Sequence, residues 1–296
     1  MDHLSTMVKE PDMLTKKKVA IVTDGACSMT PEQALQYGVH VAPEYVTFGD
    51  KTYRAGVDLE SPEFYRLLSA GKKLPTTAQP TAADFLNLYE KLAGEVDEIV
   101  TIVISHHMSA TLQSAEMANA QFSKVPVHIV DSGSVSLGLG MMAVAAARAA
   151  AQGQDAQAVL RLVEQIKQQI NVFFTVDTLE YLHKGGRIGG ATAFLGAALA
   201  IKPILYISNG RIEPFERQRT RKRSVARLLE IMDEKVGSEE VHVAILHGNI
   251  PDEAQDLEKQ IRTRFQCVEL ITSEMGPVIG VHAGPGTLGV VFYKNP

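Results

Sequence analysis

A chain of 296 residues with 45% hydrophobic and 21% charged side chains can bury a sizeable core and is long enough for two domains. Lysine and arginine total 29 against 34 acidic residues, a net charge of -5, which argues against a general nucleic-acid or membrane-surface binder. Two cysteines, Cys27 and Cys267, are too few for a disulfide framework or a zinc site and fit a reducing, cytoplasmic compartment.

Residues 1–17 contain no apolar core of signal-peptide length and read as a flexible N-terminal extension. The next segment, 18–154, alternates strand and helix. "VAIVTD" (19–24), "EIVTIVIS" (98–105) and "VHIVDS" (127–132) are nearly continuous apolar runs with polar tips, the pattern of parallel strands covered on both faces. Between them "TAADFLNLYEKL" sets Phe85, Leu88, Tyr89 and Leu92 on one helical face, and "LGLGMMAVAAARAAA" follows as an alanine-rich helix. An α/β domain with its polar tips on the carboxyl edge of a parallel sheet is expected.

From 155 to 296 the pattern becomes α+β. "AQAVLRLVEQIKQQI" carries a helical stripe of Val159, Leu162, Val163, Ile166 and Ile170, and "VFFTVDTL" reads as a strand. Asn209-Gly210 within "ILYISNGRIEPFER" signals a β-hairpin. Two amphipathic helices then flank the strand "VHVAILHG", before "CVELITSE" and a terminal strand. The longest apolar stretch, Ile188 to Ile201, is broken by Lys202-Pro203 and is too short to span a bilayer, so no stable membrane insertion is expected. Gly284, Gly286 and Gly289 match the spacing GxGxxG, but a dinucleotide loop has to open a helix, and this one runs into the strand-like Val290–Tyr293.

Hydroxyl-rich turns stand at several predicted strand tips: Thr76, Thr77 and Thr81; Ser105, Ser109, Thr111 and Ser114; Ser132 and Ser134. Each alone is a helix cap by default, whereas together on one edge they would receive a carboxylate or phosphate. Asp24 either orients a hydroxyl or caps the following turn. His282 stands among Gly280, Gly284 and Gly286, which would let backbone approach a ligand closely. His106-His107 lacks carboxylate or cysteine partners at metal spacing, so no metal is expected. Cys27 lacks an activating neighbour in sequence and reads as a buried thiol. "EYLHKGGRIGG" brings Lys184 and Arg187 together with four glycines, suiting either anion contact or a plain turn. "ERQRTRKR" (216–223) is the only basic run that carries five arginines or lysines; it is either a solvated face or a docking patch. Period-two geometry would put Arg217, Arg219 and Arg221 on one strand face.

Taken in order, "IVTDGACSMTPEQA", "GVHVAPEYVTFGDKTYRAGVDL", "PTTAQPTAADF", "SHHMSATLQSA", "HIVDSGSVSLGLG", "TLEYLHKGGRIGG", "KPIL" and "GPVIGVHAGPGTLG" resemble the DegV family, fatty acid binding subunits of bacterial fatty acid kinases. The resemblance implies a two-domain DegV-like fold, an N-terminal parallel α/β/α domain and a C-terminal α+β domain with a mixed sheet, with the ligand between them. It further implies a non-catalytic lipid-binding subunit. A long-chain fatty acid would lie in an apolar tunnel, and a separate ATP-dependent kinase would phosphorylate its carboxylate. By the same resemblance Thr77, Ser109, Arg187 and His282 face that carboxylate, with Asp24, Ser132, Gly284 and Gly286 supporting the turns. The chain departs from the family pattern at Gly25, Ala78 and Ala110, near the expected head group. "ATAFLGAALAIKPILYI" and the alanine-rich helix are candidate tunnel walls whose default reading is ordinary core. The rival from another class is a stand-alone hydrolase or phosphotransferase using Ser109 or Cys27 with His282.

Overall fold

In a computed structural model the chain is described over residues 18–71, 73–196 and 201–295. The expected extension at residues 1–17 and part of the apolar stretch before Lys202 lie outside these. Along the chain run β1 (Val19–Asp24), α1 (Pro31–Tyr37), β2 (Val39–Ala42), β3 (Tyr45–Phe48), β4 (Lys51–Arg54), α2 (Ser61–Ala70), β5 (Thr76–Ala78), α3 (Ala82–Leu92), β6 (Glu98–Val103), α4 (Thr111–Asn119), β7 (Val127–Asp131) and α5 (Leu137–Ala151). They are followed by α6 (Ala156–Gln169), β8 (Asn171–Thr175), α7 (Glu180–Lys184), β9 (Lys202–Ser208), β10 (Arg211–Gln218), α8 (Arg221–Val236), β11 (Val241–His247), α9 (Pro251–Arg264), β12 (Cys267–Glu274), α10 (Pro277–Ala283) and β13 (Leu288–Lys294).

The apolar runs of the first half form a parallel sheet in the order β2-β1-β6-β7. Every residue of β6 is buried, because helices cover both faces: α3 and α4 on one, α5 and α6 on the other. The second half builds a mixed sheet in the order β10-β9-β8-β13-β11-β12. Its β9–β10 hairpin turns through Asn209 (φ 48°) and Gly210 (φ 72°), the left-handed pair that the Asn-Gly dipeptide announces. Helices α8 and α9 close its outer face with Leu228, Met232, Leu257 and Ile261.

Helices α5 and α6 fill the space between the two sheets. One apolar cluster runs from Ile21, Val100 and Ile102 through Met142, Ala143, Ala146, Val159 and Val163 to Val172, Ala244, Leu246 and Val291. Alanine and glycine on α5 make this possible, since small side chains let backbone layers approach from both sides. A Cβ on Gly140 would stand 2.7 Å from the Cys27 carbonyl oxygen. The alanine-rich helix is therefore core, with no residue of α5 on the wall of the cavity described below.

A third sheet, antiparallel in the order β4-β3-β5, was not expected from sequence. Its strands have four residues or fewer, too short for alternation to register. The segment around His282, expected as a loop, is helix α10, which starts after Gly276 with Pro277 in its first turn. Gly284 and Gly286 follow it, both at φ 78°. A Cβ on Gly284 would come within 2.3 Å of the Tyr181 ring. These glycines turn the chain from α10 into β13. Gly284→Ala is expected to destabilise the protein by about 2 kcal/mol or more, because a left-handed backbone and a ring clash coincide. Urea unfolding followed by circular dichroism checks this: the midpoint should fall with the slope unchanged.

Candidate ligand site

Where the carboxyl edge of the parallel sheet meets the mixed and the small sheets, a cavity opens. Its walls are apolar: Ile104, Val135, Val172, Phe174, Leu246 and Val278 are among them. Thr77, Ser109, Arg187 and His282, the four residues proposed to face a head group, all line this same cavity.

Each arrives from a different element. Thr77 lies on β5, whose register places it opposite Val46 of β3. His282 projects from α10 and its Nε2 lies 2.9 Å from Thr77 Oγ1. Ser109 stands in the turn before α4, its Oγ 2.8 Å from Thr111 Oγ1. Arg187 follows α7; its guanidinium donates to the carbonyl oxygens of Met108 (3.2 Å) and Gly185 (2.9 Å). Gly185 has no side chain for good reason, since a Cβ there would lie 2.3 Å from His282 Nδ1.

Burial, with the positive charge of Arg187 second, pushes the His282 imidazole down to about 4. The ring is thus neutral near pH 7. Its Nδ1 is buried without a hydrogen-bond partner. The two hydroxyls and the neutral imidazole leave Arg187, exposed at the rim, as the positive charge among these four groups.

Asp24 is fully buried and accepts hydrogen bonds from the backbone of Ala26 (3.0 Å) and Ile104 (2.8 Å). It caps the turn after β1, as one of its two sequence readings has it, and its other oxygen ties that turn to the end of β6. Burial raises its pKa to about 6 despite those two donors. Ser132 accepts from Ser134 N (3.0 Å) and holds its own turn. Thr81 caps α3 through a reciprocal capping box with Asp84. Gly286 donates its N–H to Gly248 O at 2.8 Å.

The pairing that the lone-enzyme rival calls for, Ser109 or Cys27 with His282, is not the one seen. His282 spends its Nε2 on Thr77, and the hydroxyl of Ser109 is engaged with Thr111. The Cys27 thiol is buried and pushed up to about 12, chiefly by desolvation, so it is not a nucleophile at neutral pH. His106 pairs with Asp131, and His107 Nδ1 lies 3.0 Å from Arg211.

The basic run departs from its expected geometry. Strand β10 ends at Gln218, and Arg221 opens α8, so the three arginines do not share a strand face. Thr220 is the reason: its hydroxyl accepts from Arg223 N and caps the helix. Arg217 stacks over Phe194 with the guanidinium 4.5 Å from the ring centre, and Arg221 is half-buried with its Nε 2.9 Å from Glu253. Arg217 and Arg219 are the exposed members.

One wall residue escaped the sequence reading. Glu44, immediately before β3, is 2% exposed and lines the cavity. The available signal was its phase: it stands two residues from the fully buried Val46, on the inward face of the strand.

A parallel α/β half joined through a common core to a mixed-sheet half, with a cavity headed by hydroxyls and an imidazole between, is the architecture of a two-domain DegV-like protein. The chain belongs to the DegV family: the model described as "Uncharacterised protein, DegV family" matches residues 18–295. A DegV domain-containing protein of Halalkalibacterium halodurans is 37% identical over 278 residues, 93% of this chain and 98% of that one. Among solved structures, a DegV family protein from Thermus thermophilus, described for its fatty acid binding, superposes with a TM-score of 0.89 at 34% identity. That match covers 94% of this chain and 100% of the other. DegV from Bacillus subtilis, described as a fatty acid binding protein, gives 0.87 at 32% identity over 94% and 100% of the two chains.

The depressed imidazole has a measurable consequence. In the unfolded chain His282 titrates near 6.5 and in the folded one near 4, so this group's contribution to stability is lost as pH falls from 6.5 toward 4. In an NMR titration its ring resonances should stay at their neutral positions down to about pH 5. Arg187→Ala should move the midpoint upward, since a like charge is removed.

Proposed function

We propose that this protein binds a long-chain fatty acid, its carboxylate held by Thr77, Ser109, Arg187 and His282 and its chain laid along the apolar wall. One observation carries the reading: Thr77, Ser109, Arg187 and His282, from four separate segments, line one cavity whose wall is mostly apolar. The two related structures described as fatty acid binding support it. About 14 methylenes at about 0.8 kcal/mol each give on the order of 11 kcal/mol before ordering costs, so the chain supplies affinity and the head group supplies direction.

A head-group site of hydroxyls and neutral imidazole suits a carboxylate that is to react further, because the anion is oriented by neutral groups while its one countercharge, Arg187, stands exposed at the rim. We therefore extend the proposal to presentation. The bound acid offers its carboxylate to a separate ATP-dependent fatty acid kinase, and the acyl phosphate stays shielded in the cavity. The chain itself supplies no nucleophile in this scheme. Arg217 and Arg219 form the exposed part of a docking face for an acidic kinase surface.

Solvent extraction of purified protein followed by mass spectrometry should release a fatty acid in near-stoichiometric amount; a protein that stays empty even after incubation with long-chain acids would contradict the reading. Thr77→Val should weaken fatty acid binding by about 10- to 150-fold, the cost of one hydrogen bond to a charged group. Replacing both Arg217 and Arg219 with alanine should leave lipid affinity within about twofold while lowering the rate of acyl phosphate formation and its salt dependence. Kinase assays across ionic strength measure the second effect.

A further inference from the structure

The cavity holds a group that its proposed ligand contacts do not explain. Glu44 carries a carboxyl that is 2% exposed, and its Oε2 is buried without a hydrogen-bond partner. It does not lie there by accident of a long, mobile side chain. Its backbone carbonyl is fixed by Ala55 N at 2.8 Å, and the space above Gly25 receives its stem, with a hypothetical Gly25 Cβ only 3.4 Å from Glu44 Cβ.

The strand register places Glu44 beside the head-group residues. Tyr45 pairs with Ala78 and Val46 with Thr77, so Glu44 comes opposite Gln79, on the same face of the small sheet as Thr77. Helix α10, which carries His282, packs on β3 and β5. The charged and titratable groups around Glu44 are Asp24 from the tip of β1, Cys27 from the turn after it, Arg187 from the loop after α7, and His282 from α10.

These surroundings assign the proton. Asp24 has two backbone N–H donors on its oxygens and is the better place for a negative charge, whereas the buried Oε2 of Glu44 has none. Desolvation first, then the charge of Asp24, raise the Glu44 pKa well above the usual carboxylate range, against a smaller lowering by Arg187. An orphaned carboxylic acid in an apolar cavity is a hydrogen-bond donor in search of an acceptor.

We infer that Glu44 is a protonated ligand contact, its O–H donating to the carboxylate of the bound acid. This rests on the fatty acid reading and adds to it a contact that makes retention pH-dependent. While Glu44 keeps its proton it completes the head-group site. As pH rises through its pKa the site gains a second buried negative charge beside Asp24, and the ligand carboxylate is repelled. The complex binds a proton more firmly than the empty protein, so affinity falls on the alkaline side.

Equilibrium dialysis of delipidated full-length protein with palmitate, from about pH 6.5 to about pH 9.5, reads this as a loss of affinity of about tenfold or more. Glu44→Gln keeps an N–H donor but has no proton to lose, and its profile should be flat over the same range. Equal slopes in the two proteins would overturn the role of Glu44 while leaving fatty acid binding intact. A wild type that takes up no palmitate at any pH would instead remove the underlying reading. Infrared difference spectra of the wild type provide a measurement independent of variant folding: palmitate at neutral pH should shift a protonated carboxyl band, and its absence would sink the proposal.

Discussion

A helix can be packed by β-sheet on both sides only if its own side chains are thin, and this fold depends on that condition at α5. Eleven of its 15 residues are buried, among them glycines 138 and 140 and alanines 143, 146, 147 and 149. Larger residues there would hold the parallel and mixed sheets apart and leave voids that close-packed interiors do not tolerate. With the sheets drawn together, the turns at the carboxyl edge of one meet the strands and α10 of the other. Val135 and Ser136, just before α5, belong to the cavity wall, so the same helix that joins the halves also ends at the site.

Much of this was legible in the sequence because the relevant signals are local. Three apolar runs with polar tips gave the parallel strands, and Asn209-Gly210 gave the hairpin. The hydroxyl-rich turns and His282 were identifiable as residues with unusual neighbours, and the grouping of Thr77, Ser109, Arg187 and His282 around one head group was what the resemblance to the DegV family implied. What stayed hidden lay in strands too short to alternate visibly, or in pairings distant in sequence. The short strands β3, β4 and β5 exist because they pair with each other, with no periodicity long enough to announce them. Thr77 reads as part of a capped turn, and Thr81 does cap α3, but Thr77 itself is in β5 through pairing with Val46. Arg221 was misplaced for the opposite reason: a basic alternation looked like strand, while a single threonine cap had already begun the helix.

The electrostatics of the site show how position outweighs composition. The chain is acidic overall, yet the carboxylates nearest the cavity, Asp24 and Glu44, are both raised, and the nearest imidazole is lowered. Burial moves all three toward their neutral forms. The result is a head-group site whose Glu44 and His282 are neutral, with the Asp24 carboxylate held behind them by backbone N–H groups and one exposed guanidinium at the rim to mark where an anion would point. Such a site distinguishes a carboxylate-headed lipid from water-soluble anions less by charge than by the apolar volume behind it.

The strand order of the mixed sheet has a consequence for how the chain reaches this state. β13 lies between β8 and β11 and pairs with both in antiparallel register, although it follows all the other strands of that sheet in sequence. Without it the sheet would divide into two ladders, β10-β9-β8 and β11-β12, each with an open edge of unpaired backbone groups. Val290, Val291 and Phe292 are the buried residues that close the seam. Assembly of this half is therefore a late and non-local event, slowed by the loop closure it requires. In nascent chains on the ribosome those two edges are where mispairing would begin.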